Sequence, residues 1–340
     1  MITSIGGLWR RVIRSAGRTC MVIIISHFSF LIPHSSAAQT LTLVELNCEN
    51  LFDYRHDDGK DDTEYLPEAT RHWTKRRYWQ KLGNIAQELL STCDDGIPDL
   101  IALCEVENDS VIHDLTRRSL LRGANYDYLM TASPDRRGID VALLYNPFSF
   151  QPIRHRSIRV EPVEGMRPTR DILYVAGKQI GDDTLHVFVV HAPSRYGGER
   201  RSRPFRLAVA QRLCGAVDSV YAVSSDARIV IAGDFNDEAD GHLLQRICQH
   251  HRVRNITKDA RGMNGVKGTY RYKGQWGSID HVLASRAMES LVDSVYIHSP
   301  KFLLEEETLY GGYRPRRTYK GMRYQPGYSD HLPLVVRFRK

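Results

Sequence analysis

The segment of residues 228–237, Arg-Ile-Val-Ile-Ala-Gly-Asp-Phe-Asn-Asp, constrains the fold more than any other part of the chain. Its apolar portion, residues 229–232, is rich in β-branched side chains and predicts a buried strand. Gly233 gives the backbone extra freedom where the strand gives way to polar residues. Asp234 and Asn236 are two residues apart, so in extended backbone they point the same way. The segment therefore predicts a strand that delivers a carboxylate and an amide to one edge of a sheet.

The first 38 residues have the composition of an export signal. Four arginines precede the apolar run 21–32, and small residues follow it up to Ala38. This order of positive, apolar and small segments is that of a secretory signal peptide, and the apolar run is short for a membrane span. The sequence predicts a signal peptide at residues 1–38 and an exported protein, periplasmic or secreted, made of residues 39–340. An uncleaved membrane anchor is the alternative.

Charge and cysteine content set looser limits. The formal net charge of +7 includes the four leader arginines, so residues 39–340 carry +3, which does not require a nucleic-acid partner. No repeat and no linker rich in Gly, Ser or Pro divides this part of the chain, which predicts a single domain. Its cysteines lack metal-type spacing and predict free thiols rather than a disulfide framework. These cysteines are Cys48, Cys93, Cys104, Cys214 and Cys248.

Apolar patterns predict a mixed α/β chain. Helical spacing predicts helices at residues 73–90 and at about 110–121, 205–223 and 242–248. Apolar or alternating runs predict strands at residues 41–46, 99–104, 126–131, 139–145, 153–160, 172–176, 185–190, 229–232, 268–271, 278–283, 294–297 and 334–338. The segment 303–328, rich in Gly, Tyr, Arg and Lys, is predicted to be surface loop. The order of elements predicts two packed sheets covered by helices.

Polar side chains stand at or near the ends of several predicted strands. They are Asn47, Glu105, His191, Asp234, Asn236, Asp280, Asp330 and His331. Brought to one edge, so many carboxylates need a cation or shared protons, and their oxygens favour Mg²⁺ or Mn²⁺ over zinc. Each residue alone is compatible with an ordinary strand end or turn. Together they suit phosphate ester hydrolysis, in which Asp activates water and a metal, Asn and His stabilise the transition state.

The same residues, in their local sequences, resemble those of the endonuclease/exonuclease/phosphatase superfamily. The matching segments are Leu-Asn-Cys-Glu-Asn-Leu-Phe at 46–52, Asp-Leu-Ile-Ala-Leu-Cys-Glu-Val at 99–106, Val-Val-His-Ala-Pro-Ser at 189–194, Ala-Gly-Asp-Phe-Asn at 232–236, Ser-Ile-Asp-His-Val-Leu at 278–283 and Ser-Asp-His at 329–331. The resemblance spans residues 41–340. It implies a four-layer α/β sandwich, in which two packed mixed β-sheets are flanked by helices and the site lies at one end.

The resemblance implies a metal shell and a base. Glu105 corresponds to the main metal ligand, with Asn47 beside it, and Glu49 to a further carboxylate of the metal shell. Asp330 corresponds to a carboxylate on the metal side or behind the ligands. Asp234 resembles the residue that orients or deprotonates the attacking water.

The resemblance also implies the phosphate contacts. Asn236 resembles the amide that holds the phosphoryl oxygen. His331 resembles the histidine that contacts the phosphate, with Asp280 as its orienting partner. His191 stands where the deoxyribonuclease-like branch has a histidine that protonates the leaving oxygen. Such a histidine needs a carboxylate behind it, and Asp140 is the candidate.

The substrate is predicted from the cationic residues near these motifs. One group follows His191 and comprises Arg195, Arg200, Arg201, Arg203 and Arg206; the other precedes Ser329 and comprises Arg314, Arg316, Arg317, Lys320 and Arg323. They could hold a polyanion, with interleaved tyrosines stacking on bases, or belong to ordinary solvated loops. The sequence predicts a monomeric endonuclease without a stable protein partner, in which Arg195, Asn236 and His331 bind nucleic acid. A lipid phosphodiesterase or phosphatase of the same superfamily, or a catalytically silent binding protein, are the alternatives.

Overall fold

The computed structural model describes residues 40–179, 184–249 and 252–339, so the predicted leader lies outside the described residues. The helices in these ranges are α1 (Lys75–Leu90), α2 (Asp109–Arg117), α3 (Glu199–Tyr221), α4 (His242–Gln249) and α5 (Arg286–Glu289). Short 3-10 helices occur at Thr63–Tyr65, Leu120–Ala124 and Lys301–Leu303. None of the helices described here is long and apolar enough to cross a membrane.

The described strands form two large sheets and three small hairpins. The strands are β1 (Thr40–Leu51), β2 (Leu100–Val106), β3 (Asp127–Met130), β4 (Asp140–Tyr145), β5 (Phe150–Ile158), β6 (Ile172–Gln179), β7 (Thr184–His191), β8 (Arg228–Asp234), β9 (Val253–Asn255), β10 (Tyr270–Tyr272), β11 (Gln275–Gly277), β12 (Asp280–Ser285), β13 (Val292–Ile297), β14 (Leu304–Glu306), β15 (Tyr313–Pro315), β16 (Tyr319–Lys320), β17 (Arg323–Tyr324) and β18 (Leu334–Arg339). The first sheet has the order β13-β18-β1-β2-β4-β3 and the second β5-β6-β7-β8-β12-β9. Both sheets are mixed. The pairs β1–β2 and β7–β8 are parallel, and the other pairs in the two sheets are antiparallel.

The alternation of side chains along the strands divides the apolar residues among three cores. In β8, Val230 and Ala232 face the core between the sheets, whereas Ile229 and Ile231 face the core that contains α3 and α4. On the other side of the molecule, α1 and α2 pack on the outer face of the first sheet. Burial of each such side chain contributes about 1.5–3 kcal/mol. The four layers confirm the predicted α/β sandwich.

The pairing of the strands brings their polar ends to one end of the sandwich. In the first sheet Asn47 lies opposite Cys104, so Glu105 follows beside it. In the second sheet Asp234 lies between His191 on β7 and Asp280 on β12. Because Asn47, His191 and Asp234 share a strand face with residues of the central core, their side chains point into the space between the sheets.

The last strand adds the remaining motif to the same end. β18 runs antiparallel to β1, with Leu334 opposite Glu45. The preceding residues 329–331 therefore enter the sandwich beside Asn47. Residues far apart in the sequence are thus neighbours for topological reasons.

The prediction that residues 303–328 form a surface loop is wrong. The segment contains the hairpins β14–β15 and β16–β17, and Thr318 and Tyr319 are buried. Lys81 of α1, itself fully buried, donates to Oγ1 of Thr318 (2.8 Å) and to the carbonyl of Tyr328. Polar contacts with a distant helix hold this segment in place, so its sequence does not need apolar residues at regular spacing. The apolar pattern therefore could not predict its structure.

Helix α3 begins six residues before the predicted start at 205, at Glu199. Its first turns are arginine-rich and contain Pro204, which hid them from the apolar pattern. Arg206 is only 1% exposed and donates to Oγ of Ser202 (3.0 Å) and to Glu199 (2.6 Å). This member of the predicted cationic group therefore belongs to the packing of the helix.

The prediction of free cysteines is confirmed. Each cysteine among the described residues is a free thiol, and Cys48 and Cys104 are completely buried. Both lie in central strands of the first sheet, where a small apolar side chain fits.

Candidate active site

The turn after β8 is shaped by its glycine. Gly233 has a φ of 149°, and a Cβ there would lie 1.9 Å from the carbonyl oxygen of Val190, so no larger residue fits. Asn236 then adopts a left-handed φ of 50°, which asparagine tolerates better than most residues. Its backbone N–H donates to Oδ1 of Asp234 (2.8 Å), and its side-chain amide to Oδ2 of Asp234 (3.2 Å) and to the carbonyl of Ala192 (3.1 Å). The turn therefore fixes the carboxylate and the amide together.

Asp234 lies at the centre of the polar residues. Nδ2 of Asn47 donates to its Oδ2 (3.0 Å), and Nε2 of His191 lies 3.7 Å from the same oxygen. Burial and then the carboxylate of Asp280 raise the pKa of Asp234, against the opposing effect of His331, to about 7. A carboxylate with a pKa near neutrality can accept a proton from water.

His331 forms a buried pair with Asp280. Nδ1 of His331 lies 2.8 Å from Oδ2 of Asp280. Ser329 fixes the turn, because its Oγ donates to the carbonyl of Asn47 (2.6 Å) and accepts from the N–H of His331 (3.1 Å). Burial alone would lower the pKa of His331, but Asp280 and then Asp330 raise it well above its ordinary value. The imidazole is therefore held as a cation.

His191 has the opposite electrostatic environment. Its Nε2 lies 3.8 Å from Oε1 of Glu105, on the side away from the backbone of β7. Burial, followed by the charges of Arg170 and Arg137, lowers the pKa of His191 well below its ordinary value. Its buried Nδ1 has no hydrogen-bond partner among the residues that the structure describes. The two histidines of the site thus differ in charge at neutral pH.

The structure does not place Asp140 behind His191 as predicted. Asp140 begins β4 at this end of the sandwich, but its Oδ1 accepts hydrogen bonds from Oγ1 of Thr131 (2.5 Å) and from the N–H of Ser133 (3.1 Å). Because residues of the β3–β4 connection satisfy this carboxylate, it supports that connection instead of His191. The prediction that Asp140 orients His191 is wrong for this structure.

Glu105 and Glu49 lie in strained backbone at the ends of neighbouring strands. Glu105 has a φ of 59°, and Glu49 and Asn50 have φ values of 52° and 56°, where the register of β1 and β2 shifts. The N–H of Asn50 donates to Oε2 of Glu105 (2.8 Å), and a guanidinium nitrogen of Arg137 lies 3.9 Å from Oε1. Left-handed backbone costs on the order of 1–3 kcal/mol for each residue and is concentrated at functional sites.

Arg317 connects two of the predicted metal-shell carboxylates. It donates to Oδ2 of Asp330, and its Nε lies 3.5 Å from Oε1 of Glu49. Glu49 also accepts from the N–H of Thr318 (2.7 Å) and lies 3.7 Å from Nζ of Lys81. Burial and then the charge of Asp330 raise the pKa of Glu49, against the opposing effects of Lys81 and Arg317, to about 7. Glu49 and Asp330 are therefore brought together as predicted, with a guanidinium between them.

The carboxylate and amide oxygens at this end of the sandwich fit a hard divalent cation. Ligand atoms of Asp234, Asp280 and His331 lie within 4.8 Å of one another, but the protonated imidazole of His331 offers no lone pair to a metal, so the two carboxylates are the ligands of this cluster. Oδ1 of Asp280 is buried without a hydrogen-bond partner in the described part of the chain. The predicted metal ligands lie beside this cluster, and they are Asn47, Glu49, Glu105 and Asp330. Oxygen-rich sites of this kind suit Mg²⁺ or Mn²⁺.

Arg195 braces the turn after β8. Its Nε donates to the carbonyl of Asn236 (3.0 Å), and its Nη2 to Oδ1 of Asp237 (3.0 Å). Asp237 in turn accepts from the N–H of Leu243 in α4 (2.8 Å). The structure therefore gives Arg195 a supporting position, and its predicted contact with substrate stays a prediction.

Two charged residues of the site were missed in the sequence. Glu45 is completely buried in β1, and neither carboxylate oxygen has a hydrogen-bond partner among the described residues. Burial, followed by the charges of Asp280 and Asp234, raises the pKa of Glu45 well above its ordinary value. An acid two residues before Asn47 in an apolar strand was the available signal. Lys81 gave a similar signal, since it interrupts the apolar face of α1.

Comparison with known proteins identifies the family of the chain. A family model described as "Endonuclease/Exonuclease/phosphatase family" matches residues 42–340. The chain belongs to this family. The predicted superfamily is thereby confirmed, and the protein is a member of a family of phosphoric ester hydrolases. No curated protein matches the chain.

Solved structures of the family share the fold at low sequence identity. An endonuclease/exonuclease/phosphatase family protein from Bacteroides thetaiotaomicron superposes with a TM-score of 0.58 at 14% identity, over 88% of this chain and 94% of that one. A mannosyl-6-phosphatase from the same organism gives 0.59 at 15% identity, over 87% and 98%. The catalytic domain of human Nocturnin gives 0.55 at 17% identity, over 88% and 94%. At these identities the likeness shows the fold and not the substrate.

Proposed function

We propose that this family member is an exported, metal-dependent phosphodiesterase that acts as an endonuclease on nucleic acid. The observation that carries the proposal is the convergence of Asp234, the His331–Asp280 pair and Glu105 at one end of the sandwich. A buried base and a cationic imidazole around one space suit in-line attack of water on a phosphate ester. Export rests on the predicted leader, and the protein is proposed to act as a monomer.

The attacking water is proposed to give its proton to Asp234. The amides of Asn47 and Asn236 both donate to Oδ2 of this carboxylate (3.0 and 3.2 Å), which fixes its orientation. A positioned base of this kind contributes typically 10²–10⁴-fold to the rate. His191, 3.7 Å away, is neutral in the free protein. The negative charge of a bound phosphate would raise the pKa of this imidazole, so that it donates a proton to the leaving oxygen.

His331 is proposed to stabilise charge on the phosphoryl oxygens, and Asn236 to do the same by exchanging its hydrogen bond to the carbonyl of Ala192 for one to the phosphate. Asp280 keeps His331 protonated and oriented. A bound Mg²⁺ or Mn²⁺ would neutralise phosphate charge and polarise a phosphoryl oxygen. Glu105, Asn47, Glu49 and Asp330 are the residues proposed to hold it.

Nucleic acid is proposed because cations and aromatic rings surround the site. Arg137, half exposed, lies next to Glu105. Tyr270 packs its ring 5.0 Å from that of His331, and exposed Tyr272 and Tyr310 lie in hairpins that pack together nearby. A cationic groove with aromatic side chains is the common requirement of single-strand binding.

The test is a substrate panel with the protein exported from a host cell by its own leader. Mature protein would be incubated with plasmid DNA, RNA, sphingomyelin, a phosphomonoester and bis(p-nitrophenyl) phosphate, each with Mg²⁺, Mn²⁺ or EDTA. We expect metal-dependent nicking of DNA that Asp234→Ala reduces at least about 10²-fold. Asp99→Asn is the matched control, because Asp99 binds the N–H of Thr42 at the opposite end of the sandwich. Hydrolysis of only the lipid or the monoester would contradict the proposal that nucleic acid is the substrate. Absence of any hydrolysis would contradict the proposal that the protein is an enzyme.

A further inference from the structure

A cavity of about 260 Å³ opens beside the predicted metal shell. Glu49 and Asp330 form its wall toward the site, and the other walls include Tyr65, Trp73 and Arg71. The mechanism proposed above uses no residue of these other walls. They come from the connection between β1 and α1, which carried no predicted function.

The walls include three aromatic rings, those of Tyr65, Trp73 and Tyr319, and the flat guanidinium of Arg71. The guanidinium carbon of Arg71 lies 5.5 Å from the ring centroid of Tyr65 and 4.9 Å from that of Tyr319. Hydrogen bonds fix two of the rings. Nε1 of Trp73 donates to the backbone carbonyl of Phe52 (2.9 Å), and the hydroxyl of Tyr319 donates to the backbone carbonyl of Arg71 (3.1 Å). Arg71 thus extends a stack of planar groups at the wall of the cavity, and a planar ligand can continue this stack on the guanidinium.

A second guanidinium lies where the cavity meets the carboxylates. Arg317 lines the cavity and contacts Glu49 and Asp330. Its Nε is buried and makes no hydrogen bond of good geometry with the described residues. The cavity thus combines aromatic rings with two guanidinium groups, and its carboxylate wall lies next to the place proposed for the phosphate.

We infer that this cavity binds one nucleobase of the substrate, attached through its sugar to the phosphate that is cleaved. The inference rests on the proposed function. The volume is below the roughly 300–1,000 Å³ of pockets for drug-sized ligands, so it suits one base and not a base pair. A paired base must first leave its stack to enter. The enzyme therefore prefers single strands, ends and unpaired nucleotides to intact duplex.

The test compares esters that share one leaving group. Thymidine 5′-(p-nitrophenyl phosphate), its 3′ isomer and methyl p-nitrophenyl phosphate all release p-nitrophenolate, and only the first two carry a base. We expect kcat/KM for at least one nucleoside ester to exceed that for the methyl ester about tenfold, an ordinary gain for one stacked base. In Arg71→Ala this advantage falls below about threefold, and Arg71→Lys does not restore it, because lysine keeps the charge without the plane.

Arg254→Ala is the matched control for Arg71. Arg71 pairs with Glu64 (2.7 Å), and Arg254 likewise pairs with a glutamate, Glu289. Arg254 lies opposite Ala284 at the far end of β12. We expect this variant to keep the full advantage of the nucleoside esters. If Arg71→Ala keeps the advantage of the nucleoside esters, or if Arg71→Lys restores it, the proposal that the cavity binds a nucleobase is wrong. Restoration by lysine would indicate an anionic group as the ligand instead.

Three further measurements remain informative if Arg71 variants fail to fold. Tyr65→Leu removes a ring that stacks on Phe52 at 4.2 Å and keeps an apolar side chain there. With unaltered protein, thymidine monophosphate is expected to inhibit at least tenfold more strongly than deoxyribose 5-phosphate, and a single-stranded oligonucleotide to be cleaved about tenfold faster than its duplex. Equal inhibition, or equal cleavage, contradicts the inference. Failure to hydrolyse any ester, the methyl ester included, contradicts the proposed function itself.

Discussion

Nδ1 of His331 lies 2.8 Å from Oδ2 of Asp280, although the two residues are 51 positions apart in the sequence. Asp280 is fixed by the pairing of β12 with β8, and His331 by the Ser329 hydroxyl that donates to β1. The pair therefore spans the gap between the two sheets. Its ionisation and its position depend on the packing of one sheet against the other.

Asp280→Asn is expected to lower kcat for a phosphodiester about 10²-fold, because His331 loses its orienting partner. Asp280 raises the pKa of His331, and the protonated imidazole is the active form. Activity is lost as pH rises through that pKa, so the variant should lose activity at lower pH than the unaltered protein. The pH profile of kcat checks this. Asp99→Asn, at the far end of β2, should leave the profile in place.

Asp140→Asn is expected to affect stability and not catalysis. Asp140 accepts hydrogen bonds from Thr131 and Ser133 and makes none with His191. Loss of buried hydrogen bonds to a charged acceptor costs about 1–3 kcal/mol of unfolding free energy. Urea unfolding should show this loss, while kcat/KM of the folded protein stays within about threefold, on the order of 0.6 kcal/mol. A large fall in kcat at unchanged stability would return Asp140 to the catalytic machinery.

Glu88→Gln is expected to remove a pH dependence of stability. Glu88 is completely buried on α1, its oxygens have no hydrogen-bond partner in the described ranges, and burial raises its pKa to about 8. The unfolded chain releases this proton near pH 4.5 and the folded protein near 8, so stability falls as pH rises between these values.

The variant should match the unaltered protein at pH 4.5 and be more stable by a few kcal/mol above pH 8, since each pKa unit corresponds to about 1.4 kcal/mol. Urea unfolding in EDTA at both pH values measures the difference. Glu289→Gln is the control, because Glu289 is partly exposed and pairs with Arg254 at the surface. Parallel pH curves for Glu88→Gln and the unaltered protein would contradict the prediction.

Arg317→Ala is expected to strengthen metal binding. Arg317 neutralises Glu49 and Asp330, and its removal leaves two neighbouring carboxylates for a cation. Calorimetric titration with Mn²⁺ should give a dissociation constant lower by about tenfold, or roughly 1.4 kcal/mol. Arg314→Ala is the control from the same segment, since Arg314 pairs with Glu305 and Glu307 instead. Weaker binding in Arg317→Ala would show that the guanidinium organises the carboxylates for the metal.

Local patterns predicted the strands that carry the site. The apolar run before Asp234 and the one before His191 became β8 and β7, which pair in parallel with these two residues opposite each other. Alternation of side chains along a strand is a local property, so it can be recognised without knowing the tertiary contacts of the strand. Glu105 and Asn236 were also placed correctly at strand ends, although their left-handed backbone was not foreseen.

Contacts between distant segments were not predictable in this way. Arg317 was assigned to a solvated loop or to a polyanion grip, yet it lies against Glu49 and Asp330. Asp140 was matched to His191, but its hydrogen-bond partners lie in the β3–β4 connection. The partners of these charged groups depend on which other polar groups are buried next to them and need hydrogen bonds. The spacing of residues along the sequence does not contain that information.

The amino-acid sequence by itself determined the family, the strand ends and the set of polar residues that meet there, because motif spacing and period-two alternation are written along the chain. Only the tertiary structure decided the charge states of this set. His191 and His331 are the same residue type at similar depth, and burial beside arginines makes one neutral while burial beside Asp280 makes the other a cation. The physical reason is that ionisation in a buried site depends on the distances between charges, which only the packing of the two sheets sets.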